Sequence, residues 1–184
     1  GIETGNERLR HELLNKHITN RQILEVGRLL KKYKLKFMTF NIIGFPGESI
    51  ENALETIDLN IKIGTKYPRC SILTPYPGTK IAQDYKDKLR ISDIYSTFQQ
   101  SEISFDVPHP KELINIHYFF QTVVIFPRLF WLIKRLIKFT PNVLFRFWWA
   151  AVYFFVFTKA ERRNIFQTFI FSARSFNLIF KKKD

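Results

Sequence analysis

The sequence predicts an α/β fold in its first part and an α-helical, basic and aromatic region in its last part. Three observations lead to this prediction. Short apolar strand patterns alternate with helical patterns, a glycine- or proline-rich breaker follows each strand, and charge and aromatic content change sharply near Pro108. Such alternation is typical of parallel βαβ units. We therefore place a boundary between the regions 1–107 and 108–184, and expect about three parallel strands in the first.

The elements of the first region follow from periodicity, capping signals and chain breakers. A strand end at Gly1–Gly5 comes first, and a helix over Glu7–Asn15 follows it. The capping-box spacing of Thr19 and Gln22 starts a second helix, which runs through Lys32. The remaining elements are a strand at Phe37–Ile43, a helix capped by Ser49, a strand at Arg69–Leu73 and a helix beginning at Thr79.

Three loops are candidates for a binding rim. Glycine- or proline-rich segments lie at Glu3–Asn6, Gly44–Glu48 and Thr74–Thr79, each directly after a predicted strand. In parallel α/β folds the loops that follow the strands gather on one edge, where ligands usually bind. A single segment of this kind indicates a tight turn, but three in corresponding positions favour a ligand-binding edge.

Charge divides the chain into two unequal parts. Residues 1–112 contain 17 Lys and Arg against 14 Asp and Glu, whereas residues 113–184 contain 12 against 2. The second part also contains 20 of the 30 aromatic residues. This composition indicates that the two parts have different surroundings.

Within the second part, two segments have the character of interfacial helices. Arg128–Phe139 places four basic residues on one helical face, namely Arg128, Lys134, Arg135 and Lys138. Phe147–Thr158 is uncharged and aromatic, but its 12 residues fall short of the roughly 20 that a membrane span needs. We expect residues 113–180 to be helical and to lie on a membrane surface. Packing against other parts of a longer enzyme is the alternative, and nucleic-acid binding ranks last.

The chain has one cysteine, Cys70, in an apolar stretch. One thiol forms no internal disulfide and supplies too few ligands for an iron–sulfur cluster. The four histidines show no metal-ligand spacing, so we expect no metal site in this chain.

Four segments resemble motifs of the radical SAM enzymes, over roughly residues 1–85. Gly1–Arg8 resembles Gly-x-Glu-Ser-Gly-Ser-x-Arg, with Thr4 and Asn6 in place of the serines, and Lys16–Thr19 resembles Lys-x-x-Thr. Ile42–Ser49 resembles Ile-x-Gly-Phe-Pro-Gly-Glu-Thr. Thr74–Thr79 resembles a segment ending Pro-Tyr-Pro-Gly-Thr. The last motif and the basic, aromatic tail are similar to enzymes that carry an amino-terminal cobalamin-binding domain. The chain begins at Gly1, and we expect it to be the carboxyl-terminal part of such an enzyme.

The resemblance implies a partial (β/α) barrel that binds S-adenosylmethionine (SAM), with a [4Fe–4S] cluster and cobalamin held by parts outside this chain. It implies that Glu3 and Thr4 face the ribose or methionine part of SAM. It also implies that the backbone at Ile43 and Gly44 packs near adenine, and that Leu73 and Thr74 offer backbone hydrogen bonds to the adenine edge. No catalytic residue is assigned. Glu48 lies within the Ile42–Ser49 motif, but it can also be interpreted as a carboxylate at a helix N-terminus that the helix dipole favours.

The expected function is radical chemistry, either methyl transfer or C–H functionalisation, on a small or lipid-like substrate. The chain alone is expected to be inactive, and the protein to be cytoplasmic, with the inner face of the membrane as a second location. Two alternatives stay open: a membrane-surface binding protein with an inactive barrel remnant, and a fragment of an RNA-modifying methylthiotransferase.

Overall fold

The computed structural model describes residues 1–88 and 102–170, and these form a mixed α/β structure. The elements are α1 (Glu7–Leu14), α2 (Asn20–Lys32), β1 (Met38–Ile43), α3 (Ile50–Ile63), β2 (Tyr67–Ile72), α4 (Lys80–Asp84), a 3-10 turn at Lys86–Lys88, α5 (Pro110–Ile125), a 3-10 turn at Pro127–Leu129, α6 (Phe130–Leu136) and α7 (Val143–Ala160).

The two strands pair in parallel, with Met38 opposite Tyr67 and Ile43 opposite Ile72. Instead of the third strand we predicted, the described residues show a single parallel bridge between Glu3 and Asn41. The reason is the backbone of Glu3, whose φ of 65° lies in the left-handed region and interrupts an extended run. The α/β class is therefore confirmed, whereas three full strands were wrong for this part of the chain.

Capping explains where the two long helices of the first region start. Thr19 and Gln22 form the predicted capping box at α2, and Ser49 caps α3, with Asn52 completing a second capping box. Each such cap contributes about 1 kcal/mol, because it satisfies amide groups that lack a partner inside the helix. The sequence placed these two helix starts correctly.

The main core lies between one face of the sheet and helices α3 and α5. Ile43, Ile57, Ile72, Leu113 and Phe120 belong to one buried cluster. Burying a side chain of this size contributes about 2 kcal/mol. Helix α5 starts just after the predicted boundary at 107 and 108, yet it packs into the core of the first region. The boundary itself stays a prediction.

The last helices differ in length from the prediction. Most of the segment predicted to form one helix over Arg128–Phe139 consists of a 3-10 turn and the seven-residue α6. Its end is fixed by Asn115, whose side-chain amide donates to the carbonyls of Ile137 and Phe139.

Helix α7 has 18 residues, so it is longer than the 12-residue run we predicted. The run was defined by the absence of charge, but the helix continues past Arg146 and Lys159 at its two ends. Within the described residues, α7 meets the length and composition of a membrane span. The predicted solvated end at 180–184 and the last part of the 113–180 segment lie outside the described residues.

Candidate functional site

Hydrogen bonds join the residues at which the three predicted loop segments leave the sheet. The amide of Ile42 donates to the carbonyl of Glu3, and the amide of Leu73 donates to the carbonyl of Ile43, each at a distance of 2.7 Å. Because β1 and β2 are parallel, the loops that follow them leave the sheet on the same side. The structure thus brings the segments of all six predicted cofactor-binding residues together.

Glu3 is engaged by a lysine from the segment after α1. The Nζ atom of Lys16 lies 3.1 Å from Glu3 Oε1 and also donates to the carbonyl of Gly1 over 2.6 Å. About a quarter of the Glu3 side chain, 24%, is exposed. The carboxylate is therefore accessible and charge-balanced, and Lys16 fixes its position.

Thr4 points away from solvent and towards α3. Its side chain is fully buried, and its Oγ1 atom lies 3.3 Å from Oγ1 of Thr56. The same Thr56 oxygen accepts the amide of Gly5 over 2.8 Å. A Cβ atom at Gly5 would lie 2.4 Å from the carbonyl oxygen of Glu55, so only glycine fits this approach. These contacts give Thr4 a positioning role for the loop, and its predicted contact with SAM stays a prediction.

Arg10 is a buried residue of this region that the sequence interpretation missed. Its guanidinium donates to the carbonyls of Ile2 and Thr4, to the carbonyl of Ile18 over 2.7 Å, and to the side-chain oxygen of Asn20 over 2.7 Å. The resemblance instead drew attention to Arg8, which forms an exposed ion pair with Glu12. No signal in a single sequence distinguishes the two arginines.

Glu48 supports the loop that follows β1. Its side chain is fully buried, and its Oε2 atom accepts the amides of Gly44 and Phe45. Its other carboxyl oxygen has no hydrogen-bond partner among the described residues. Burial raises the pKa of Glu48 to about 8, against the opposing effect of the two backbone hydrogen bonds. Ser49 caps α3, and the hydrogen bonds of Glu48 go to the preceding loop, so the interpretation of Glu48 as a helix-dipole carboxylate stays a prediction.

The loop after β2 is also held by its backbone. The amide of Leu73 already donates to the carbonyl of Ile43. A hydrogen bond between Leu73 and adenine would therefore have to use the carbonyl of Leu73 as the acceptor. Thr74 is buried, and its hydroxyl donates to the carbonyl of Ile72 over 3.4 Å.

A segment that we had assigned no role, 102–107, covers this edge. A Cβ atom at Gly44, where φ is 86°, would lie 3.3 Å from Ile103. The amide of Gly47 donates to the carbonyl of Asp106 over 3.1 Å. Phe105 packs in a buried cluster with Phe45 and Leu73. The edge is therefore apolar, with backbone groups as its main polar atoms.

The residues of this chain do not fit an iron–sulfur cluster. Cys70 is buried in the core, and burial raises the pKa of its thiol well above its ordinary value. Within the described ranges, no group of three or more His, Cys, Asp or Glu side chains stands close enough to hold a metal.

A cleft of about 320 Å³ lies at the opposite end of the strands, beside Gly1 and Ile2 and between α2 and the start of β1. Its lining is mainly apolar and includes Val26, Leu30 and Phe37. None of the six predicted cofactor-binding residues lines it.

Comparison with known proteins gives two short matches, and no family model matches the chain. The chain is 37% identical over 81 residues to an uncharacterised methyltransferase of Pyrococcus horikoshii. It is 33% identical over 64 residues to a bacteriochlorophyllide d C-12(1)-methyltransferase of Chlorobaculum tepidum. The matched parts are 44% and 35% of this chain, but 17% and 14% of the two relatives. The chain therefore corresponds to less than a fifth of each relative, and both are named as methyltransferases.

Proposed function

We propose that this chain is part of a SAM-dependent methyltransferase of the radical SAM type. Two relatives named as methyltransferases support the methyl-transfer part of the proposal. The radical SAM part rests on the four motifs. Hydrogen bonds of the sheet bring three of their segments to one edge, and Lys16 of the fourth contacts Glu3 through its side chain. That convergence is the main structural support.

In this proposal the chain supplies one wall of the SAM site. Four residues would form the adenine wall with apolar and backbone groups: Ile43, Gly44, Leu73 and Thr74. They are buried in this structure, and the segment 102–107 that covers them would have to shift to admit adenine. Lys16 positions Glu3. The Glu3 carboxylate would accept hydrogen bonds from the ribose hydroxyls or from the methionine ammonium. Arg10 and Thr56 act behind them by holding the loop from Ile2 to Gly5.

The cluster and the cobalamin belong to other parts of the protein in this proposal. When bound, they and SAM supply the radical and the methyl group, which no side chain of this region can supply. The chain's own contributions are binding, orientation and exclusion of water by the buried side chains of Ile103, Phe105 and Val107.

An activity assay on the protein encoded by the whole gene tests the proposal. The protein is purified without oxygen and supplied with SAM that carries a deuterated methyl group, together with a one-electron reductant. We expect 5′-deoxyadenosine to accumulate and the label to leave SAM. Intact SAM after many hours would overturn the proposal and favour the alternative of an inactive barrel remnant.

A glycine pair provides the matched control. Gly44 and Gly64 both have positive φ values, 86° and 72°, so alanine costs about 1 kcal/mol of backbone strain at each. At Gly44 the added methyl also presses on Ile103, in the segment that covers the proposed adenine wall, and comes within 3.4 Å of Ile72. At Gly64 the nearest atoms belong to the flexible end of Lys31. We expect Gly44→Ala to lower SAM turnover strongly and Gly64→Ala to leave it near the wild-type rate.

A further inference from the structure

Helix α7 packs on the rest of the chain through four aromatic residues spaced one turn apart. The ring of Phe145 lies 4.9 Å from that of Phe119, and the ring of Trp149 lies 5.3 Å from that of His117. Further along, Tyr153 and Phe157 continue the row.

The last two rings of this row contact an arginine of the sheet. The guanidinium of Arg69, on β2, lies 5.7 Å from the Tyr153 ring and 5.1 Å from the Phe157 ring. Such cation–π contacts are stabilising, the more so when they are partly desolvated. Together the four rings hold α7 against α5 and β2 over most of its length.

The other face of α7 is apolar and uncovered within the described residues. Val143, Leu144 and Phe147 are exposed by 77%, 74% and 75%, and Phe155 by 56%. The turn and helical segment that follow α7 add three more exposed apolar side chains, Ile165, Phe166 and Phe169. Contiguous exposure of large apolar residues on one helix marks a binding surface.

Exposed basic residues lie near this apolar face in the sequence. Arg146 and Lys159 are exposed near the two ends of α7, and Arg162 is exposed in the turn after it. The preceding segment adds four exposed basic residues, Arg128, Lys134, Arg135 and Lys138. Glu161 is the one acidic residue in the sequence from 113 to 170. A partner for this surface must therefore be both apolar and negatively charged.

We propose that the exposed face of α7 lies on an anionic lipid leaflet, with the helix axis parallel to the membrane plane. Aromatic and aliphatic side chains enter the boundary between headgroups and acyl chains, while the basic residues contact lipid phosphates. This proposal is independent of the enzymatic one.

Packing, and not length, determines the orientation. At 1.5 Å per residue, the 18 residues of α7 extend about 27 Å, close to the roughly 30 Å thickness of a bilayer core. However, the helix is attached along its length to α5 and β2, so a transmembrane orientation would carry Arg69 into the hydrocarbon region or separate it from Tyr153 and Phe157. Either change is costly for a charged side chain. An orientation in the plane preserves every contact described above.

Vesicle co-sedimentation of the full chain tests the binding. We expect binding to phosphatidylcholine vesicles that contain a quarter phosphatidylglycerol, weaker binding to pure phosphatidylcholine, and loss of the difference in high salt. The double variant Phe147→Gln and Phe155→Gln should reduce partitioning at least tenfold, because each buried phenyl ring is worth roughly a factor of ten. The control variant Val26→Gln and Leu35→Gln also removes two exposed apolar residues, but away from α7, and should bind like the wild type.

Labelling determines the orientation. Cysteines introduced at Asn142 and Glu161 flank α7, and the natural Cys70 is buried. A membrane-impermeant maleimide added outside preformed vesicles should label both introduced cysteines. Protection of one end would overturn the in-plane orientation. No binding to vesicles, equal binding to both lipids in all salt conditions, or selective binding of RNA through the same phenylalanines would overturn the lipid assignment.

Discussion

Replacing Glu48 by glutamine tests whether the carboxylate under the loop after β1 is held in its neutral form. The side chain is fully buried and supports the amides of Gly44 and Phe45. Glutamine keeps an acceptor oxygen for both amides and cannot ionise. The two proteins should therefore have similar free energies of unfolding in acid and differ in alkali.

The magnitude follows from the pKa. Burial raises the pKa of Glu48 from 4.5 to about 8. Because the pKa of Glu48 is higher in the folded than in the unfolded state, the stability that the neutral side chain contributes is fully present below pH 4.5. This contribution is lost as the pH rises to about 8. At about 1.4 kcal/mol per pH unit, the whole loss is about 5 kcal/mol, and about 4 kcal/mol of it lies between pH 5 and pH 9.

Urea unfolding followed by circular dichroism measures the difference. The stability of Glu48→Gln minus that of the wild type should rise by about 4 kcal/mol from pH 5 to pH 9. Glu51→Gln is the matched control, since Glu51 is exposed on α3 and should show no comparable rise. Parallel pH profiles for the wild type and Glu48→Gln would refute the reasoning.

Three other predictions concern buried or charged groups. Burial lowers the pKa of His117 to about 4, so the wild type should lose about 3 kcal/mol relative to His117→Phe as the pH falls from 6.5 to 4; equal acid denaturation midpoints would contradict this. Arg10→Met should cost about 3 kcal/mol or more in urea unfolding because it leaves buried carbonyls without donors, whereas Arg8→Met should cost about 0.5 kcal/mol; equal costs would show that the buried hydrogen bonds matter little. Anaerobic reconstitution of the chain should give no stoichiometric [4Fe–4S] absorbance, because Cys70 alone cannot supply the ligands; iron bound at four atoms per chain would contradict it.

Much of the first region could be predicted from local signals. Capping pairs at Thr19 and Ser49 and the breaker after Ile43 determine structure within a few residues, so periodicity and spacing were sufficient. The single bridge at Glu3 was not predictable, because a positive φ at a non-glycine residue depends on tertiary contacts, here with the neighbouring strand and with Lys16.

The parts of the site that depend on tertiary contacts were also missed. The segment 102–107 is distant in sequence from the groups it covers. Arg10 is only 6 to 10 residues from the groups it holds, but nothing in its local pattern reveals that its side chain is buried. The two faces of helix α7 were missed for a different reason. Its aromatic run was treated as uniform, but every fourth residue from Phe145 to Phe157 packs inwards while Leu144, Phe147 and Phe155 face outwards. The four-residue spacing was visible in the sequence and could have separated the two faces.

Saturation-transfer-difference NMR on the full chain tests whether the carboxyl edge of the sheet binds the adenine end of SAM. The method detects weak binding, which is what a single wall of a site should give. We expect saturation transfer to the adenine protons of SAM with the wild type and with Gly64→Ala, and its loss with Gly44→Ala. No transfer with the wild type, or the same adenine signal with all three proteins, would contradict it.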